Sequence, residues 1–318
     1  MNRSVLKFGG SSVSDFSKIR NISEMLKRRV EQGEQLIVVV SAMGKTTDQL
    51  MENVNMLTET PKDDALALLL TTGEQQTVSY LAMTLNDIGI SAKAMTGYQA
   101  GIKTVGHHLK SRIAEINPDT FHKAFEQHDV LVIAGFQGIN DDFELTTLGR
   151  GGSDTTAVAL AACNNTPCEI YTDVDGVYAT DPRVYAKANR LSAVSYEEMM
   201  EMSALGAGVL ETRSVELANN YNIPLYLGRT LSNVKGTWIM AQTDLLEKKA
   251  VTGVALDTHM MHVTISYPLP DNKLLTRLFT QLDRGSVNVD MISQIVNIEG
   301  LQLSFTIKDT DVVQISKL

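Results

Sequence analysis

Short, almost wholly apolar runs alternate along this chain with longer segments of mixed character. VLKF (residues 5–8), QLIVVVS (35–41), DVLVIAGF (129–136) and CEIYTDV (168–174) are β-branched or continuously apolar, the pattern of strands covered on both faces. Residues 15–30, 63–86 and 153–164 repeat apolar positions at helical spacing and predict helices. Strands alternating with helices predict a layered α/β domain. IPLYL (223–227) and GTWI (236–239) add two short strands, and the polar DLLEKKA (244–250) predicts a connector, with a domain boundary near Leu245. Beyond it the order changes: strand over 251–265, helix over 271–283, strands over 287–296 and 301–307, then the opening of a second helix in DTDVVQISKL (309–318). This predicts a catalytic-sized domain over 1–245 and a smaller, incomplete α+β unit over 250–318.

Composition narrows the classes. Of 318 residues 43% are hydrophobic, enough for a sizeable core in more than one domain. The net charge of -9 opposes broad nucleic-acid binding, which needs a concentrated basic surface. The start, MNRSVLKFGG, has no long apolar leader, and runs such as LALLL are far too short to cross a bilayer, so a soluble, cytoplasmic protein with no membrane partner is expected. Cys163 and Cys168 are too few for a disulfide framework, and the six histidines fall in no metal-ligand spacing.

The first strand runs into Lys7, Phe8, Gly9, Gly10, Ser11 and Ser12, where bare amides and an ammonium could meet phosphate oxygens. AMGKTT (42–47) is not a P-loop, because the leading glycine of that motif would fall on Val39. GAGVLE misses a dinucleotide fingerprint at Glu211, and protein-kinase signatures are absent. TTLGRGGSDTTA (146–157) sets Arg150 and Asp154 around Gly151, Gly152 and Ser153 at a helix mouth. Ser153 or Asp154 could cap that helix, the free amides form an anion site, and Arg150 adds a fork suited to a carboxylate or phosphate. Asp173, Asp175 and Asp181 suggest a calcium loop but lack the closing bidentate glutamate.

KFGGSSV, VVVSAMGKTTDQL, TTGEQQTVSYLA, TGYQAGI, GFQG, TTLGRGGSDTTAVALA and YTDVDGVYATDPR stand in the order in which aspartokinases carry them, and over residues 3–240 the chain resembles that family. Residues 250–318 resemble the start of its ACT-type regulatory region, most clearly in VNVDMISQ. The resemblance implies the amino-acid-kinase αβα sandwich with a smaller ACT-like domain. The implied reaction is ATP-dependent phosphorylation of the side-chain carboxylate of L-aspartate to 4-phospho-L-aspartate, the entry to lysine, threonine, methionine and diaminopimelate synthesis. It further implies that Lys7 bridges the transferring phosphoryl group beside the Gly9 and Gly10 amides, and that Asp154 holds Lys7 in register. Arg150 would clamp the substrate α-carboxylate in the Gly151, Gly152 and Ser153 loop, Glu74 would receive its α-ammonium, and Thr47 would orient the reacting end. Phe8, Thr172, Asp173, Tyr178 and Arg183 would serve ATP, with Mg2+ carried by its phosphates and no protein metal ligand. Such a reaction needs alignment and charge neutralisation more than a base, since the acceptor is already ionised.

The chain departs from the family pattern at two places. GAGVLETR (206–213) has Gly208 for the family's lysine and Glu211–Thr212 for its His-Pro pair, and SYPLPDNKLL (266–275) lacks the usual Pro-Gly turn of the ACT region. Lysine or threonine feedback and a homodimer built through residues 250–318, with LQLSFTI as the pairing strand, are family expectations. The rivals are a related kinase acting on glutamate, N-acetylglutamate or a nucleoside monophosphate, and a non-catalytic amino-acid sensor. The presence of Lys7, Glu74, Arg150 and Asp154 opposes the sensor.

Overall fold

A computed structural model describes residues 2–241, 251–267, 273–285, 287–297 and 300–312. The chain opens with β1 (Asn2–Phe8), α1 (Phe16–Glu31), β2 (Glu34–Val40), α2 (Thr46–Leu57), α3 (Asp63–Leu70), α4 (Thr72–Asp87) and β3 (Ala92–Met95). A small mixed-sheet insert follows, with β4 (Ile102–Val105) and β5 (Arg112–Ile116), then α5 (Asp119–Phe125), β6 (Val130–Ala134), and the insert's remaining strands β7 (Gln137–Ile139) and β8 (Leu145–Thr147). Next come α6 (Gly152–Asn164), β9 (Cys168–Thr172), β10 (Ala193–Ser195), α7 (Tyr196–Ala204), α8 (Thr212–Asn220), β11 (Leu225–Arg229) and β12 (Thr237–Met240). The last elements are β13 (Met260–Tyr267), α9 (Leu274–Arg284), β14 (Asp290–Asn297) and β15 (Gly300–Lys308).

The main sheet has the order β10-β12-β11-β9-β1-β2-β6-β3, parallel except where β11 meets β12. Alternate residues of its strands feed two cores. Leu6, Phe8, Val38 and Val40 pack with Ile19, Ile22 and Leu26 of α1 and Val78, Leu81 and Leu85 of α4. Val5, Ile37, Val39 and Ile170 pack on the other face with Val158 and Leu160 of α6 and Val215 of α8. The result is the expected αβα sandwich. In α1 the buried positions 19, 22 and 26 form one stripe, and truncating Leu26 to alanine would cost about 2–5 kcal/mol.

The described residues divide into compact units at Ala255–Leu256. The expected boundary near Leu245 lies outside the described residues. In the second unit Leu303, Phe305 and Ile307 of β15 pack with Val263, Ile265 and residues of α9. Its sheet order is β13-β15-β14, so LQLSFTI is the central strand, hydrogen-bonded on both sides, and is not free to pair with another chain. The edge strand β14 instead leaves Met291, Ile292, Ile295 and Val296 more than half exposed. The expected strand over 251–265 is ordered as strand only from Met260. Of the expected second helix, Asp309–Asp311 form one 3-10 turn and residues 313–318 lie outside the described residues, as do 268–272 of the expected effector loop. No described helix is long and apolar enough to cross a membrane.

The expected helix over 63–86 is two helices broken at Thr71. The Thr71 and Thr72 hydroxyls donate back to the Leu68 and Leu69 carbonyls (2.8 and 2.7 Å), and Gln137 Nε2 donates to the Thr71 carbonyl (3.0 Å). Such side-chain competition loosens the helical ladder. The break places Glu74 in a fresh first turn, facing the end of β2.

Candidate active site

Period two along β1 turns Val5 and Lys7 toward α6 and turns Leu6 and Phe8 toward α1 and α4. Lys7 Nζ meets Asp154 Oδ1 of α6 at 2.6 Å, with side chains 10% and 13% exposed. Phe8 is fully buried and stacked on Tyr171, ring centroids 5.3 Å apart, so its side chain belongs to the core. The Gly9 amide donates to the Tyr171 carbonyl (3.1 Å) and so serves the join with β9 rather than a phosphate. A Cβ on Gly10 would lie 2.8 Å from the Ala42 carbonyl oxygen, so only glycine lets the β1 loop pass this close to the β2 loop.

Glu74 is buried. Its Oε1 accepts from the Ala42 amide (3.1 Å), and its Oε2 has no partner. Burial pushes this carboxyl up to about 7, against the downward pull of the Ala42 and Glu74 amides. A buried acceptor without a protein donor needs a partner, which a ligand group or a water can supply.

The β8–α6 loop completes the site. Gly151, at φ 65, is the N-cap of α6, and no side chain caps that helix. Ser153 and Asp154 therefore lie in its first turn and are not its caps, which leaves the Asp154 carboxylate free to meet Lys7. Lys7, Gly10, Thr47, Glu74, Arg150, Gly151, Gly152, Ser153 and Asp154 line one cleft of about 340 Å³. Arg150 is exposed at its rim. The cleft opens at the carboxyl ends of β1, β2 and β6, and α6 brings its N-terminus and positive dipole end to it.

Sequence reading passed over Ser41, Ala42, Gly44, Phe136 and Gly149, which line the same cleft. SAMG follows β2 as FGG follows β1, and GF follows β6, so position at a strand's carboxyl end was the signal available. Phe136 holds φ 69, a left-handed conformation uncommon for a bulky residue, and packs on Val54, Leu66 and Leu70.

Of the residues expected to hold ATP, Lys7 and Gly10 line this cleft, while Phe8, Gly9, Thr172, Asp173, Tyr178 and Arg183 do not. Thr172 ends β9, next to β1 in the sheet, and its hydroxyl donates to Asp173 Oδ1 (3.1 Å). Tyr178 pairs with Arg190 in an isolated bridge. Arg183 is 89% exposed and grips Asp181, with Nη2 to Oδ2 at 2.8 Å. Arg229 at the end of β11 pairs with Asp175 (3.0 Å) and lies level with Thr172, a second guanidinium on this side that the sequence reading missed. Gly208 is exposed with open space around it. Its amide donates to the Gly206 carbonyl (2.8 Å) and that of Val209 to Ala207 (2.6 Å), so both amides are engaged within the loop itself. Among the described residues no group of three or more His, Cys, Asp or Glu could hold a metal ion.

Comparison with known proteins agrees with this architecture. The model of the amino acid kinase family matches residues 2–229. Aspartokinase 2 of Bacillus subtilis (strain 168) is 42% identical over 311 residues, covering 98% of this chain and 76% of that protein. The crystal structure of aspartate kinase from Synechocystis superposes with a TM-score of 0.67 at 35% identity, over 99% of this chain and 54% of that one, so this chain spans about half the length of that solved protein. Aspartokinase III of E. coli in complex with aspartate and ADP gives a TM-score of 0.78 at 22% identity, over 97% of this chain and 79% of that one, and so shares the fold. The chain belongs to the amino acid kinase family and, within it, to the aspartokinases.

Proposed function

We infer that the protein transfers the γ-phosphoryl group of ATP to the side-chain carboxylate of L-aspartate, giving 4-phospho-L-aspartate. The observation that carries this reading is the cleft itself, where the Lys7–Asp154 pair and the unpartnered Glu74 Oε2 lie between an arginine rim and a helix N-terminus. Arg150 donates a two-pronged bond to the α-carboxylate, Glu74 Oε2 accepts from the α-ammonium, and Thr47 orients the reacting end. Lys7, held by Asp154, neutralises charge on the transferring phosphoryl group beside Gly10. No general base is required.

Thr172, Asp173, Tyr178 and Arg183 form the nucleotide side. For Arg183 to reach a phosphate its bond to Asp181 must open. Mg2+ enters with the ATP phosphates. The cleft's donor set fits a hydrated ion carried by the nucleotide better than a protein cage, because Asp154 Oδ1 meets Lys7, Glu74 Oε1 meets the Ala42 amide, and Glu74 Oε2 is the acceptor for the substrate ammonium. Residues 1–245 form the catalytic domain of a cytoplasmic enzyme, and residues 250–318 an ACT-like domain that answers lysine or threonine. The 1-3-2 strand order with α9 packed on the sheet supports that second assignment.

Hydroxylamine trapping with Mg-ATP and aspartate, glutamate or N-acetylglutamate tests the reaction, since an acyl phosphate yields a hydroxamate. Product is expected from aspartate. Hydroxamate from glutamate alone overturns the substrate assignment.

A further inference from the structure

The Glu211–Thr212 departure lies against the loop that carries Arg150. Glu211 Cβ and Cγ crowd the point where a Gly151 Cβ would stand, and Glu211 Oε2 is 3.2 Å from that point, so the glutamate stem rests directly on Gly151. Two residues on, Arg213 of α8 donates from Nη1 to the Leu148 carbonyl and from Nη2 to the Ser111 carbonyl, both at 3.0 Å. Ser111 in turn donates its amide and hydroxyl to the Thr147 carbonyl (both 2.9 Å). One planar guanidinium thus ties the last residues before Gly149 to the residue that precedes β5. A fork is suited to this task, because two fixed donors set both distance and angle.

We propose that Arg213 and Glu211, at the start of α8, brace the Leu148–Gly152 loop and are positioning residues for Arg150. The proposal rests on the reading that Arg150 holds the α-carboxylate of the acceptor. Neither brace residue lines the cleft. Their influence on substrate passes through the loop: Arg213 fixes its start, Glu211 covers its left-handed residue, and Arg150 lies between the two. Misplacing a substrate-gripping group by about 1 Å costs up to about 100-fold in turnover or affinity. Losing the brace should therefore act on aspartate and spare ATP, whose proposed contacts come from β1 and its loop and from the end of β9 onward, none of which the brace touches.

The test combines amide hydrogen exchange of residues 148–152 in the full chain with steady-state kinetics. Arg213→Gln is expected to raise exchange across the loop at least about fivefold. The KM for aspartate should rise about 10- to 100-fold with that for ATP within about twofold. Arg213→Lys, which keeps the charge but cannot bridge both carbonyls in one plane, should fall between. If Arg213→Gln does not fold, Glu211→Ala carries the same two readouts. Unchanged loop exchange overturns the brace, and equal rises in both KM values, the mark of general destabilisation, overturn the positioning role. Arg150→Lys is run alongside. If it leaves the aspartate KM unchanged, the substrate reading fails, while exchange in the Arg213 variants still decides the brace.

Discussion

The Glu74 carboxylate is the residue whose chemistry most constrains the enzyme. Its folded value near 7 lies above that of an exposed glutamate because burial disfavours the charged form. A raised acid keeps its proton in the folded state while the unfolded chain has already released it. Stability therefore falls as pH rises from about 4.5 to 7, by an amount on the order of 3 kcal/mol at the upper end. Glu74→Gln should melt higher than the native protein at pH 8 and equally at pH 4, as thermal unfolding across that range would show. The same variant should raise the KM for aspartate, because only the carboxylate attracts an ammonium. In the native enzyme that KM should rise as pH drops below about 7, and a flat profile from pH 6 to 8 would detach Glu74 from the substrate. At Lys7 the loss is in turnover: Lys7→Met should cut kcat by about two to three orders of magnitude, the scale of one preorganised electrostatic donor. It also leaves Asp154 without its cation, so part of the stability is lost too. Near-normal kcat in a folded Lys7→Met protein would make the lysine structural.

At the scale of elements, what the sequence made legible follows from which signals are local. The buried parallel strands declare themselves because residues such as Val38, Val39 and Val40 are apolar without interruption, and the strand-end loops declare themselves through glycine. The break at Thr71 is not legible, because apolar spacing runs through it, and the bonds that create it come from threonine hydroxyls and from Gln137, distant in sequence. Helix α2 escaped notice because Val54 alone of its residues is buried, which leaves little periodicity to read. Capping by Ser153 or Asp154 was the natural reading of a polar pair at a helix mouth. Tertiary contact with Lys7 claims the aspartate, and glycine takes the cap. Cleft lining by Ser41 and Phe136 depends on strand order, which no local pattern states. The two arginine loops give the corresponding experiment. Arg150→Lys keeps charge but loses the fork and should raise the aspartate KM far more than that of ATP. Arg183→Ala should do the reverse. Parallel changes in both constants for both variants would show that the two loops do not divide the substrates.

For the whole molecule, the second unit offers a sheet with one covered face and two edge strands, β13 and β14. The α9 side is filled by Leu303, Phe305 and Ile307, while Gln302, Ser304 and Thr306 alternate onto the opposite side of β15. Among the described residues the larger exposed apolar surface lies on β14, where Met291, Ile292, Ile295 and Val296 are exposed along an edge strand, with Met261 and Tyr267 less exposed on the other edge strand β13. An exposed apolar edge is a template for pairing with another strand. We propose that the homodimer expected from the family pairs through β14, the edge with the larger exposed apolar surface, since the central strand β15 is already bonded on both sides. Ile295→Lys, which sets a charge on the edge without touching the packed side, should shift the protein toward monomer in size-exclusion chromatography with light scattering. Hydroxamate formation should be retained, because the cleft is built from residues 7–154. A chain shortened to end near Leu245 should lose both the dimer and any inhibition by lysine or threonine while it still phosphorylates aspartate. If the dimer survives shortening, its interface lies in the catalytic domain. If it survives Ile295→Lys but not shortening, pairing uses another part of residues 250–318.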